Sequence, residues 1–303
     1  MATTTPSAPE SRDSMRGFLF ALTAYFLWGF LPFYMKAVAH IPPSEVISHR
    51  ILWSIPVAGG LLLVLRRTDD LTRALRNPKM IGMAAITACL ISINWGIYVW
   101  AIGAGHALDT ALGYFINPLF SILLGAVLLK EKLKPAQMVA LALVVLAVVI
   151  LTVENGRLPV IALSLTFSWG FYALFRKTLP IGPNQGFLLE VLLLSPFALA
   201  YLIYLIVTGQ SHFGVTGVDT ALLASSGLVT AVPLILYANG AKLLKLSTIG
   251  IMQYIAPSMI FIIAVFAFRE PVGMAKAIAF PLIWIALVIY TVPMIKRASS
   301  SEL

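Results

Sequence analysis

The sequence predicts an all-α polytopic membrane protein with ten transmembrane helices, arranged as two inverted five-helix repeats, with both termini in the cytoplasm. The first observation behind this prediction is composition: of 303 residues, 60% are hydrophobic and only 11% are charged, whereas soluble domains carry about 25% charged residues. The second is that the apolar residues form unbroken runs of about twenty, the length of helix that crosses a bilayer core. The third is an internal sequence repeat.

The chain divides into two tails and ten apolar runs. Residues 1–15, rich in Ser, Thr and Pro, are predicted to form a disordered cytoplasmic tail, and residues 293–303 the cytoplasmic tail at the other end. Residues 16–153 hold the first five runs and residues 158–292 the second five. The runs lie at 17–38, 44–65, 80–102, 107–129, 136–153, 158–175, 186–207, 220–241, 247–268 and 272–292. Because strands of a membrane barrel are shorter, about ten residues, and alternate in polarity, helices are predicted instead.

Basic residues between the runs predict the orientation in the membrane. With the N-terminus inside, 16 of the 21 Lys and Arg residues fall on the cytoplasmic side, in agreement with the positive-inside rule. The net charge of +9 therefore reflects cytoplasmic loops, and nucleic-acid binding is not predicted. The single cysteine, Cys89, excludes an intramolecular disulfide framework and a cysteine-based zinc cluster.

Two copies of one pattern occur along the chain. A Trp-Gly-Phe sequence occupies residues 28–30, followed by Lys36, and recurs 141 residues later at 169–171, followed by Lys177. A repeat unit of five spans places the second copy upside down, and inverted repeats build alternating-access transporters whose binding site lies near mid-membrane. The alternative is a duplication that only enlarged the bundle.

Three segments carry a resemblance to a known family. Ser-His-Arg-Ile-Leu-Trp-Ser at 48–54, Leu-Gly-Tyr-Phe-Ile-Asn-Pro-Leu at 112–119 and Gln-Tyr-Ile-Ala-Pro at 253–257 resemble the RarD branch of the drug/metabolite transporter superfamily, in its EamA-type form. That branch stands close to the YddG-type amino-acid exporters, and the resemblance covers about residues 16–292. It implies a basket of ten helices in a bacterial inner membrane, with spans 1–4 and 6–9 around a central cavity and spans 5 and 10 outside. It also implies export of amino acids or related metabolites, although a fold alone does not choose the cargo.

Polar and aromatic side chains inside the spans are the candidate substrate-binding residues. On span 4 they recur every three or four residues and so share one helical face, and the tryptophans of spans 1 and 6 lie near the bilayer centre rather than at the interface. Packing between helices is the alternative role for these groups. The candidates are Tyr25, Trp28, Asn94, Tyr98, Tyr114, Asn117, Trp169, Tyr237, Gln253 and Tyr254.

Four prolines within the spans are predicted to break helices beside these residues. Proline lacks the N–H that would bond the carbonyl four residues earlier, so Pro118 frees the carbonyl of Tyr114. A bend that serves only packing is the alternative. The predicted breaks are at Pro32, Pro118, Pro233 and Pro257.

Ionisable residues inside the spans are predicted to couple or gate transport. They are Glu45, His49, Arg50 and Glu190. Either glutamate can bind and release a proton, whereas the alternative for the first three is a structural cluster at the membrane boundary. The basic-acidic pairs at 130–131 and 269–270, which end spans 4 and 9, are a second candidate for gates, as ion pairs.

The remaining patterns decide between function classes. The sequence has no His-Glu-x-x-His zinc motif and no aspartate deep in a span, so it predicts neither an enzyme nor a metal site, and no cofactor. Because Lys and Arg do not cluster within the spans, phosphorylated sugars and nucleotides are not the expected cargo. The predicted function is export of neutral, hydrophobic or aromatic amino acids and related metabolites, with protons as a coupling partner. The alternatives are a drug or other small-metabolite permease, an intramembrane enzyme, and a receptor or channel.

Overall fold

In the computed structural model all regular secondary structure among the described residues is helical, and these residues show no strand. The described residues are 14–65, 68–128, 133, 135–241, 243–244 and 252–300. The predicted disordered tail lies outside them except for its last two residues, and α1 already begins at Met15. Glu131 and the basic residue before it also lie outside the described residues.

The described helices follow one another with short connections. In chain order they are α1 (Met15–Ala37), α2 (Pro43–Val64), α3 (Asp69–Leu75), α4 (Pro78–Gly103), α5 (Ala107–Leu128), α6 (Pro135–Asn155), α7 (Val160–Thr178), α8 (Pro183–Val207), α9 (Gly217–Ala241), α10 (Ile255–Ile262) and α11 (Met274–Ser300). A π-helical turn, Ile263–Ala267, continues α10.

Every predicted span overlaps one of these helices. Among the described residues, eight helices are long and apolar enough to cross a membrane, and two shorter apolar helices cover Val160–Arg176 and Ile255–Ala267. The chain is therefore a polytopic membrane protein. The count of ten spans, their inverted repeat and the cytoplasmic position of the termini stay predictions.

Two elements differ from the predicted organisation. The polar connection after the second span contains the short helix α3, which the hydropathy pattern does not reveal. The last helix extends to Ser300, into the predicted tail at 293–303. Neither segment carries an apolar run, so a search for membrane-length runs passes over both.

Helix starts are encoded locally. Proline occupies the first helical position of α2 and α4, where its missing N–H costs nothing and its fixed φ suits a helix. Asn77 caps α4, because its side-chain oxygen accepts from the backbone N–H of Lys79 at 3.0 Å and of Met80 at 3.3 Å.

The structure corrects the predicted helix breaks. Helices α1, α5 and α9 run without interruption through Pro32, Pro118 and Pro233. Inside lipid the other backbone groups have no water to bond, so the helix continues around the one missing bond. Pro257 lies in the first turn of α10, where a backbone N–H has no partner within the helix in any case.

The two halves of the chain pack mainly against each other. Helix α1 packs on α9 and α10, whereas α7 packs on α4 and α5, and α6 packs on α11 at the periphery. Matched glycines permit this: a Cβ on Gly29 would lie 2.8 Å from Cβ of Met259, and a Cβ on Gly170 would lie 2.6 Å from a ring carbon of Phe120. Each half therefore places one of the two matched glycines against a helix of the other half. Below, the end of the bundle that holds Ala37 and Pro43 is called the outer end, as the charge bias predicts, and the opposite end the inner end.

Candidate functional site

A cavity of about 180 Å³ lies in the centre of the bundle. Its wall is built by α1, α2, α4, α5 and α7 to α10, with Gln253 just before α10. Helices α6 and α11 contribute no described residue to it. These are the helices of predicted spans 1–4 and 6–9, so the cavity lies where the resemblance implies one.

Nine of the ten predicted substrate-binding residues line this cavity. They are Tyr25, Trp28, Asn94, Tyr98, Tyr114, Asn117, Trp169, Tyr237 and Gln253. The tenth, Tyr254, is not among the lining residues and packs against the main hydrophobic cluster instead. Its neighbour Gln253 points to the cavity because successive residues at a helix start face different directions.

Aromatic side chains form two clusters in the wall. In the first, the rings of Tyr25, Trp28 and Tyr237 lie with centroids 5.5–5.8 Å apart. The second is made by α5 and α7, where Trp169 lies 5.6 Å from Tyr172 and 6.5 Å from Tyr114. Each cluster contains one of the two repeat-related tryptophans. Such offset and edge-to-face arrangements present flat apolar surface that can hold an aliphatic or aromatic group.

The prolines affect the cavity although they do not break the helices. Because proline has no N–H, the carbonyl four residues earlier has no helical partner. For the three prolines inside helices, Pro32, Pro118 and Pro233, those carbonyls belong to Trp28, Tyr114 and Val229, and all three residues line the cavity.

Some polar groups in the wall are already bonded, whereas others are not. The amide nitrogen of Asn94 donates to the Leu165 carbonyl at 3.2 Å and to Ser168 Oγ at 3.0 Å, and its oxygen accepts from Tyr114 Oη at 3.3 Å. Asn94 therefore links three helices, as in the alternative packing role. By contrast, Asn117 Oδ1 and Tyr98 Oη are buried and have no hydrogen-bond partner in the described part of the chain, so they are available to a bound molecule.

Arg50 is the one charged side chain among the described residues of the wall. It is 3% exposed. Its Nε–H donates to Thr230 Oγ1 at 2.9 Å, and its guanidinium lies 4.8 Å above the ring of Trp95. Its Nη1 is buried and has no hydrogen-bond partner within the ranges that the structure describes.

The three neighbouring ionisable residues of α2 do not form a single cluster. Glu45 accepts from the backbone N–H of His212 at 2.8 Å and lies 2.7 Å from Nδ1 of the same residue. His49 stacks on Phe213 with ring centroids 4.9 Å apart. Arg50 lines the cavity, so it does not belong with Glu45 and His49 to the structural cluster considered as the alternative for these three residues. Residues on a helix turn by about 100° per position, which separates Arg50 from the face shared by the other two.

The outer end is held together by polar contacts between the two halves. His40 lies 2.8 Å from Asp219, and Lys276 lies 2.9 Å from Asp109. The Glu45–His212 contact is a third. Glu270 supplies a fourth, because its carboxylate accepts from two backbone N–H groups at the start of α5, at 2.7 and 2.9 Å. This caps a helix N-terminus rather than forming the ion pair predicted for residues 269–270.

Glu190 lies at the inner end, outside the cavity wall. It is 1% exposed, accepts from Tyr172 Oη at 3.2 Å and lies 3.4 Å from Arg176 Nε. Tyr172 does line the cavity, so one hydrogen bond connects this carboxylate to the wall.

Sequence reasoning missed several residues of the wall. Trp95, Tyr172 and Thr230 all line the cavity. Tyr172 follows Trp169 by three positions and so shares its helical face, which was a usable signal. Trp95 follows Asn94 directly, and adjacent residues do not share a helical face, so spacing gave no signal for Trp95. No local pattern distinguishes Thr230 from the many hydroxyl residues that bond their own helix.

Known proteins similar to this chain agree with its architecture. Residues 15–153 match the EamA-like transporter family. An uncharacterized transporter from Vibrio cholerae is 39% identical over 97% of this chain and 98% of its own length. Protein RarD from Salmonella typhi is 39% identical over 93% of this chain and 96% of its own length.

A solved structure extends the comparison to the fold. One crystal structure matches with a TM-score of 0.60 at 19% sequence identity, and the match covers 91% of this chain and 97% of that one. At this identity the likeness concerns the fold alone. The near full-length relatives carry the assignment: the chain belongs to the RarD branch of the EamA-like transporter family, within the drug/metabolite transporter superfamily.

Proposed function

We propose that this membrane transporter exports neutral, hydrophobic or aromatic amino acids and related metabolites across a bacterial inner membrane, by alternating access through the central cavity. The observation that carries the proposal is the cavity itself, with two aromatic clusters beside unpartnered polar groups. The aromatic rings suit an apolar side chain or, through their faces, an ammonium group. Asn117 Oδ1 and the proline-freed carbonyls are acceptors for the same ammonium.

The contacts between the halves suggest how access alternates. Four polar contacts of side chains tie the halves at the outer end. At the inner end a backbone hydrogen bond from the N–H of Ser14 to the carbonyl of Leu243, at 3.1 Å, joins them, and the ion pair Arg176–Glu190 lies within the second half. We infer from this difference that the cavity is closed toward the outside in this conformation. Export then requires the outer contacts to open while the inner helices close, and two inverted repeats exchange these roles in a symmetric manner.

A drug or other small-metabolite permease is the second candidate function. The aromatic and aliphatic character of most of the wall favours it, because such a surface also accepts amphipathic compounds without an amino-acid head group. A substrate panel distinguishes the two candidates.

Counterflow in proteoliposomes tests the proposal directly. Purified protein is reconstituted and uptake of labelled amino acids is measured against unlabelled pools, with and without a pH gradient. We expect saturable exchange of aromatic and hydrophobic amino acids. Trp28→Ala should lower the exchange rate at least about tenfold, which corresponds to a loss of about 1.4 kcal/mol in binding. The control is Phe30→Ala on the same helix, whose side chain is 52% exposed, and it should leave the rate unchanged. Exchange of amphipathic drugs without any amino acid would favour the second candidate.

Glu190 is proposed as the proton-coupling residue. Glu190→Gln is expected to lower flux driven by a pH gradient at least about tenfold while counterflow exchange and substrate binding persist, because glutamine retains the shape and the contact with Tyr172 but cannot carry a proton. The measurement is flux with an imposed pH gradient against counterflow without one. Glu154→Gln, an exposed site on α6, is the control. Unchanged gradient-driven flux in the Glu190 variant would remove this residue from the mechanism.

A further inference from the structure

Arg50 carries a buried positive charge for which the described structure shows no counter-ion. A guanidinium stays protonated under all conditions relevant to proteins. Its contacts are a hydroxyl, Thr230 Oγ1 at 2.9 Å, and the face of the Trp95 indole at 4.8 Å. Both are neutral. The nearest carboxylate on the same helix, Glu45, is bonded to His212.

Burial of this charge without a counter-ion costs free energy. An ion moved from water into a protein interior loses hydration worth several kcal/mol, and only a partner of opposite charge with good geometry restores it. A cation–π contact and one neutral hydrogen bond offset part of this cost. A second nitrogen, Nη1, is buried and has no hydrogen-bond partner among the described residues, although a buried polar group without a partner is rare.

The Arg50 guanidinium lies where a transported molecule would bind. Arg50 lies in the cavity wall together with Tyr98, Tyr114 and Asn117. Because Nε is held by Thr230 and the guanidinium plane is packed on Trp95, the orientation of the side chain is already set before anything binds. Such preorganisation lowers the entropic cost of binding.

We infer that Arg50 is the anion-binding residue of the cavity, and that the transported molecule presents a carboxylate to its guanidinium. The inference rests on the proposed function, in which an amino acid occupies this cavity, and it names the group by which the molecule is recognised. One guanidinium matches one planar carboxylate. The cavity wall therefore selects acids with a single carboxylate and an apolar body over the corresponding amines and amides.

Binding of matched compounds to the purified full-length protein tests this inference. The probes are phenylalanine, phenylalanine amide, phenethylamine and 3-phenylpropionate, measured by calorimetry or by competition with a labelled acid. We expect both acids to bind the unmodified protein at least about tenfold more tightly than the amide and the amine, as a charge-assisted contact would give. Arg50→Gln should abolish this preference, and Arg50→Lys should retain the preference with weaker binding.

Two controls separate recognition from a structural role. Arg157→Gln removes an exposed positive charge outside the cavity wall and should leave the preference for acids unchanged. Thermal melting of each variant reports folding. A purely structural Arg50 predicts a lower melting temperature for Arg50→Gln with the preference for acids intact. Should Arg50→Gln not fold, the preference for acids in the unmodified protein and the weaker binding of acids, with the preference retained, in Arg50→Lys decide the question.

The outcomes distinguish the inference from the proposed function. Binding of 3-phenylpropionate that depends on Arg50, without binding of phenylalanine, would support the anion site and overturn amino-acid transport. Transport of phenylalanine with equal binding of acid and amide, unaffected by Arg50→Gln, would overturn the anion site alone. Failure of every carboxylate in the panel to bind would overturn both.

Discussion

Gly227→Val is expected to prevent α2 and α9 from packing and to leave little folded protein. A Cβ at Gly227 would run into the backbone carbonyl of Trp53, and Cβ of Trp53 would lie 2.6 Å away. Overpacking in a well-packed interior costs about 1–3 kcal/mol when side chains can adjust. Here backbone atoms obstruct the new group, so a whole helix must move. The melting temperature in detergent and the yield of monodisperse protein measure the effect.

Gly82→Val is the matched control for this prediction. Gly82 also lies within a membrane-length helix, α4, but a Cβ there would meet no atom within 4 Å. The two variants add the same side chain, so any difference between them reflects the close approach of α2 and α9. A Gly227→Val protein that melts at the temperature of Gly82→Val would show that the helices are not packed at this distance.

Glu45→Ala is expected to open the outer end. The carboxylate is fully buried. It accepts a hydrogen bond from the backbone N–H of His212, which follows α8 in the other half, and it lies beside the imidazole ring of the same residue. Hydrogen bonds to a charged group contribute about 1.5–3 kcal/mol each. These contacts stabilise only the conformation in which the outer end is closed. Their loss would therefore shift the equilibrium between the two conformations toward the outward-open one by at least about tenfold.

Cysteine labelling from outside measures this shift. In a Cys89→Ser background, because Cys89 is exposed, Leu31→Cys places a thiol in the cavity wall. A membrane-impermeant maleimide should react at least about tenfold faster when Glu45→Ala is added. Thr208→Ala, which removes a hydroxyl bonded to its own helix at 2.8 Å near the outer end, should not change the rate. Equal rates for Glu45→Ala and its parent would contradict a gate at this contact.

The candidate site was largely predictable because its members share a local signature. Tyr25, Trp28, Tyr114 and Asn117 are aromatic or polar groups placed in the middle of apolar runs, where lipid cannot satisfy them. Such residues must face protein or a cavity, so nearly all of them converge on one wall. Tyr254 shows the limit of this reasoning. It directly follows Gln253, which lines the cavity, but its own ring faces the main hydrophobic cluster.

The roles of the charged residues depended on partners that are distant in the chain. Arg50 bonds Thr230, 180 residues later, and Glu45 bonds His212, 167 residues later. Spacing along α2 places Glu45 and His49 on one face, yet it cannot indicate which side chains of the second half meet them. For this reason spacing alone could not decide whether Arg50 joins a cluster with Glu45 and His49.

Hydropathy and length are local properties, so the sequence by itself determined that the chain is a helical membrane protein and where its membrane helices lie. Its repeat also indicated which helices correspond. Only the tertiary structure decided that Pro32, Pro118 and Pro233 leave their helices continuous, that polar contacts join the two halves at the outer end, and that Arg50 faces the cavity with no counter-ion among the described residues. The physical reason is that each of these depends on contacts between helices far apart in the chain, whose free energies no local pattern encodes.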